Sequence, residues 1–272
     1  MTSTVDEICQ QIASLKSTPA QPTVIAFANA GYATLTENWI WHMRRIGVDN
    51  VTLCALDDET LRLARTNGTP AVRVGDTARL ADLWILRAQL FRALASQRID
   101  FIHSDVDAIW LRDPRPRLLG TQAQLAFSQG TVWPNDIARA WGFVLCCGLF
   151  LARATPTVAE FFERLSQRIV DEKDDQTSLN RALRDGGATW DVAAIDAGRS
   201  EREWNSISFS IFADPLLGKA GDLSLALMPH AEFPRLPDLP GPRALVAHPI
   251  APKDAKAKIE RLAKLGLWGD LS

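Results

Sequence analysis

Long apolar runs are missing from this sequence: nothing in its 272 residues approaches the roughly 18 consecutive apolar positions that a membrane-spanning helix needs. Met1 to Pro22 is polar and of mixed charge, without the apolar middle of a secretory signal, so a soluble, cytoplasmic protein is expected. A charge excess is missing too. Lys and Arg number 30 against 32 Asp and Glu, which excludes a broad basic face for nucleic acid or anionic membrane and makes any phosphate binding local. Cysteines are few, at positions 9, 54, 146 and 147, and none form CxxC pairs. Neither a zinc site nor a disulfide framework follows, and all four read as buried, reduced thiols, with Cys146 and Cys147 pointing to opposite faces of a strand. No repeat and no shift of composition divides the chain. One domain over residues 23–272 is expected, preceded by a polar, helical extension over residues 1–22.

What the sequence does contain is an alternation of short apolar runs with helical periodicity. Thr23 to Ala28 (TVIAFA) closes on Asn29-Ala30-Gly31 and is followed by helical spacing from Tyr32 to Ile46. Val51 to Leu56 (VTLCAL) ends in Asp57-Asp58 before a short helix from Glu59 to Arg65. A helix over Leu80 to Ser96 feeds the strand Ile99 to His103, and later come a strand from Phe143 to Ala152 and helices over Pro156 to Val170 and Gln176 to Arg184. This order predicts an α/β fold with a mixed, mostly parallel sheet flanked by helices. Prolines scattered between 215 and 249 break any long helix, so residues 186–250 are expected as loops over the sheet's edge, with a final helix from Asp254 to Leu265.

The strand Ile99 to His103 ends in Ser104-Asp105-Val106-Asp107. The carboxyl edge of an open α/β sheet is where ligands bind, because strand ends and helix N-termini converge there. Two aspartates one residue apart can turn toward one cation, and hard carboxylate oxygens suit Mg²⁺ or Mn²⁺. The plainer reading is a pair of solvated turn acids. Other residues have plain readings as well: His248 as a hydrogen-bonded surface histidine, Asp174-Asp175 as helix caps, and Lys258 as part of the polar face of the last helix.

Five stretches in one order carry a resemblance: FIHSDVDAIWLRDP, CCGLFLARATP, DDQTSLNRAL, LMPHAEFP and a closing H-P-I…K-I-E-R…G-L-W. Over about Val24 to Trp268 the sequence resembles the nucleotide-diphospho-sugar transferase family that includes the plant rhamnogalacturonan xylosyltransferases. The resemblance implies a Rossmann-like GT-A fold with a DxD motif, and transfer of a sugar from a nucleoside diphosphate, with UDP expected, to a glycan, lipid-linked or protein hydroxyl with retention of configuration. It implies that His248 joins Asp105 and Asp107 as the third protein ligand of Mn²⁺ or Mg²⁺, and that Lys258 contacts the diphosphate. It places Asp175 and Gln176 beside the anomeric carbon, Asn29 and Asp57 at the nucleotide base, and Arg87 against phosphate or an active-site acid. Gly148 falls where a glycine lets the backbone approach a ligand closely. Pro249 and Pro252 depart from the Asn and Gly that often follow the histidine, and Cys147 from a small polar residue.

Two other readings compete. Haloacid-dehalogenase-like phosphatases also carry an aspartate after an apolar strand, but there the motif closes the first strand and Thr or Val stands at the place of Ile109. A non-catalytic sugar-nucleotide-binding module is the other. Trp133, Trp141, Trp190 and Trp204 fall near irregular segments, where an exposed indole can stack on an acceptor sugar and packing is the ordinary alternative.

Overall fold

In the computed structural model, which describes residues 4–15, 21–77, 79–191, 199–236 and 238–270, the chain begins with α1 (Val5–Ser14), β1 (Thr23–Ala28), a 3-10 turn at Ala30–Tyr32, α2 (Ala33–Arg45), β2 (Val51–Ala55), α3 (Asp58–Thr66) and β3 (Ala71–Arg73). It continues with α4 (Leu80–Ser96), β4 (Phe101–Ser104), β5 (Ile109–Trp110), α5 (Arg115–Gly120), β6 (Leu125–Gln129), α6 (Asn135–Trp141), β7 (Leu145–Ala152), α7 (Pro156–Glu172) and α8 (Asp175–Asp185). The remainder is β8 (Thr189–Trp190), β9 (Arg199–Trp204), β10 (Ile207–Phe212), β11 (Leu216–Ala220), β12 (Leu223–Leu227), β13 (Val246–Ala247) and α9 (Ala255–Lys264).

The main sheet has the order β3-β2-β1-β4-β7-β6-β12-β11-β8. Only β7 and β11 run against the other strands, so the sheet is mixed and mostly parallel as expected. Its central strands are buried along their whole length because helices cover both faces. Side chains alternate between two cores. Ile25 and Phe27 of β1 join Phe91, Phe101, Phe150 and Phe162 under α4 and α7, while Val24, Ala26 and Ala28 join Trp39, Ile102 and Leu151 under α2.

Two expectations need correction or completion. The segment 186–250 is not a set of loops, and the sheet does not end near residue 184: β12, β11 and β8 extend it and β9 pairs with β10 in a separate ribbon. Here the prolines fall between strands rather than within them, and Gly221, at φ 57°, makes the tight turn from β11 to β12. At the other end, α1 starts at a capping box between Thr4 and Glu7 and buries Ile8, Cys9 and Ile12 in the α4 core. Residues 1–3 and 16–20 of the 1–22 extension lie outside the described residues. Among the described residues no helix is long and apolar enough to cross a membrane, and the four cysteines are buried and free.

Candidate active site

β4 delivers Asp105 to the carboxyl edge of the sheet, and the turn after it is pinned from below. The indole N–H groups of Trp39 and Trp110 both donate to the hydroxyl of Ser104 at 3.2 Å. Ala108 N then donates to the carbonyl of Asp105 at 3.0 Å, folding Asp107 back toward Asp105. The chain enters β5, whose Ile109 and Trp110 pair antiparallel with Ala247 and Val246 of β13. That short ladder sets His248 beside the two aspartates: its Nε2 lies 3.4 Å from Asp107 Oδ1 and 4.0 Å from Asp105 Oδ2. One donor atom from each of the three falls within 4.8 Å of the others.

Gly148 of β7 forms the wall behind them. Its carbonyl accepts from Asp105 N at 2.7 Å, and a Cβ on it would overlap both Asp105 Oδ2 and His248 Cε1. A glycine is required for the three donors to converge. Two carboxylates and an imidazole suit a divalent cation of the hard-to-borderline kind, so the donor set and the hollow fit the implied Mn²⁺ or Mg²⁺.

The charges around this group come from the cationic and titratable neighbours Arg87, His103, Lys258 and Asp175. Arg87, buried on α4, reaches Asp105 Oδ1 through Nη2 and Asp175 Oδ2 through Nη1, each at 3.5 Å, and donates to the Cys147 carbonyl at 3.4 Å. Burial opposes ionisation of Asp105, but Arg87 and His103 hold its carboxyl far below the usual carboxylate range. Asp107 is held down in the same way, against burial, by His248 and Lys258, and Lys258 Nζ forms an ion pair with it. At Asp175 the balance reverses: burial pushes the carboxyl up to about 6, and Arg87 offsets only part of this. For His248 burial works downward, yet Asp107 leaves the imidazole raised above its ordinary value.

His103, wholly buried among the rings of Phe27, Phe91 and Phe150, escaped the sequence reading because a lone histidine in an apolar strand carries no spacing signal. Burial and Arg87 hold it down to about 4, so it is neutral at pH 7. Its Nε2 is 3.2 Å from Asp105 Oδ1 and also contacts Arg87, and one ring nitrogen serves a donor or an acceptor, not both.

Beside the carboxylates a cavity of about 340 Å³ opens between β1 and α4, lined by Asn29, Tyr32, Leu83, Trp84, Asp105 and Lys258 among others. Lys258 stands 5.7 Å from the Tyr32 ring centroid, and Lys253 lies 4.7 Å over Trp84 and 3.9 Å from Asp174. Tyr32 and Trp84 are further residues the sequence reading did not single out, as isolated aromatics on helical stretches. Asp57 is used differently from Asn29: its carboxylate accepts from Ala30 N and Thr60 N, both at 2.7 Å, capping α3 and fixing the turn after β1. Asp174 caps α8 through Thr177 N, leaving Asp175 to face Arg87. Gln176 is held by backbone at both ends, accepting from Cys147 N at 3.2 Å and donating to the Trp133 carbonyl at 2.8 Å. Trp133 itself is 56% exposed, whereas Trp141 and Trp190 pack on each other and Trp204 packs against the small apolar cluster that contains Ile137, Val144 and Phe209.

Known proteins resemble this chain in sequence and in shape. The sequence model of a family described as nucleotide-diphospho-sugar transferase matches residues 46–243. Beta-arabinofuranosyltransferase RAY1 of Arabidopsis thaliana is 23% identical over 180 residues, 61% of this chain and 34% of its own, so the chain spans about a third of that curated relative's length. Among solved structures, the galactosyltransferase LgtC in complex with donor and acceptor sugar analogues superposes with a TM-score of 0.53 at 11% identity, covering 91% of this chain and 96% of that one. An active-site mutant of LgtC gives 0.51, also at 11% identity, over 89% and 95% of the two chains. At such identity the likeness is one of fold, and the GT-A architecture expected from the sequence holds.

Proposed function

The chain belongs to the nucleotide-diphospho-sugar transferase family, and from that premise we propose a metal-dependent glycosyltransferase that moves a sugar from UDP to a glycan or other hydroxyl acceptor with retention of configuration. The observation that carries the reading is the convergence of Asp105, Asp107 and His248 on one side of the cavity lined by Asn29, Tyr32 and Lys258. Asp105, Asp107 and His248 would hold Mn²⁺ or Mg²⁺, which when bound offsets the charge that builds on a departing diphosphate. The imidazole among the carboxylates favours Mn²⁺. Asn29 and Tyr32 receive the base, and Lys258 meets the diphosphate as a point charge. Arg87 fixes the distance between Asp105 and Asp175 by pairing with both. Asp175 then faces the sugar, where a carboxylate steadies positive charge at the anomeric carbon. The buried, free thiols support a cytoplasmic setting.

Calorimetric titration of UDP in Mn²⁺ and again in EDTA tests the nucleotide and the cation together, without an acceptor. Binding in Mn²⁺ alone is expected; absence of binding in both buffers, for UDP and for other nucleoside diphosphates, rejects the reading. Replacing Asp175 by Asn is expected to lower turnover on the order of a hundredfold and to leave UDP affinity within about twofold. Because the Asp175 carboxyl ionises near pH 6, the wild-type rate should fall as pH drops below that value, while the residual rate of Asp175→Asn should not follow that titration. An unchanged pH profile in the variant removes Asp175 from the chemistry.

A further inference from the structure

Cys146 takes no part in the reaction proposed above, yet its sulfur lies 3.8 Å from Nδ1 of His248. The opposite ring nitrogen, Nε2, is the one aimed at Asp107 and Asp105. A neutral imidazole that gives the lone pair of Nε2 to a cation must carry its proton on Nδ1. His248 is only 4% exposed, so that N–H needs an acceptor inside the protein. The main-chain contacts of His248 do not supply one. Its N–H donates to the Pro234 carbonyl at 3.0 Å and its carbonyl accepts from Arg235 Nη1 at 2.9 Å, which fixes the peptide and leaves the ring free to turn. The sulfur is itself held, since Gly148 N donates to it at 3.4 Å from the same strand that walls the site.

We propose that Cys146 is a positioning residue whose sulfur accepts the Nδ1–H of His248, selecting the tautomer and ring orientation that present Nε2 to a divalent cation. This rests on the metal site proposed above. A side chain of the same size without acceptor capacity leaves the ring free to turn or to place its proton on Nε2, where it blocks the cation. Partners of this kind around metal-binding histidines typically change metal affinity 10- to 100-fold.

The test is a double-mutant cycle on the full chain with Mn²⁺ alone, free Mn²⁺ being read by electron paramagnetic resonance and the fold of each variant by circular dichroism. Cys146→Ala is expected to weaken Mn²⁺ binding about tenfold, and Cys146→Val, which refills the volume, should weaken it as much. In a His248→Ala background the same cysteine changes should have no further effect, because the residue they act through is gone. Mn²⁺ affinity within twofold of wild type in both cysteine variants overturns the proposal, as does an equal loss in both backgrounds, which marks a general packing effect. If His248→Ala binds Mn²⁺ as wild type does, the histidine is not a ligand and the metal-site reading fails instead.

Discussion

Asp107→Ala is expected to bind UDP no better in Mn²⁺ than in EDTA. Asp107 is the more enclosed of the two candidate carboxylate ligands, 5% exposed, and it meets His248 on one oxygen and Lys258 on the other. Removing it takes away a hard donor and leaves two cationic or protonatable groups facing a space where a positive ion should sit. Truncating one partner of a buried charge pair typically costs about 2–5 kcal/mol, so the Mn²⁺-dependent part of UDP affinity should fall on the order of a hundredfold or more. Calorimetry on the variant, in the two buffers already described, reads this directly. Retained dependence of UDP binding on Mn²⁺ would refute the assignment of Asp107.

Arg87→Met is expected to destabilise the fold itself by about 3–5 kcal/mol at neutral pH, the usual consequence of removing one member of a buried ionic group. The guanidinium stands between Asp105 and Asp175, and no other arginine contacts either carboxylate within 4 Å among the described residues. The pH dependence has a definite sign. Asp105 has a folded-state pKa depressed by Arg87, so its contribution is present above its unfolded value and is lost as pH falls. The variant lacks that contribution, and its deficit should therefore be largest at neutral pH and shrink toward pH 3, where the carboxyl is protonated when unfolded. Urea denaturation at pH 7.5 and pH 3 measures the difference. Added Mn²⁺ should recover part of the loss at pH 7.5 by binding only the folded state. A deficit under about 1 kcal/mol at both pH values would mean that Arg87 is not the counter-charge of this site.

The candidate site was legible in the sequence to unequal degrees. A strand covered on both faces reads as a continuous apolar run, so β1, β2 and β4 stand out, and the acids after β4 mark the edge. His248 was reached only through resemblance, because the two-residue ladder of β5 with β13 that places it has no periodicity to detect. Asp57 caps α3 and Gln176 lies in the first turn of α8, and both side chains bind main chain, a use that only the turn geometry reveals. The strands after residue 186 were hidden for a different reason. β9, RSEREW, is exposed along nearly its whole length, since a two-stranded ribbon has a face open to water, and its charges read as loop. Its partner β10, ISFSIF, buries Phe209, Ser210 and Phe212 and carries the apolar half of the ribbon.

The ladder between Trp110 and Val246 joins segments more than a hundred residues apart. Until it forms, Asp105 and Asp107 are two ordinary acids at the end of a strand, and His248 is nowhere near them. Assembly of the three candidate ligands therefore depends on a non-local contact rather than on any local turn. On the metal site proposed above, Mn²⁺ affinity would gauge native-state breathing: a partial opening that frees residues 246–248 while sparing the main sheet should release the ion before any change in secondary structure is detectable.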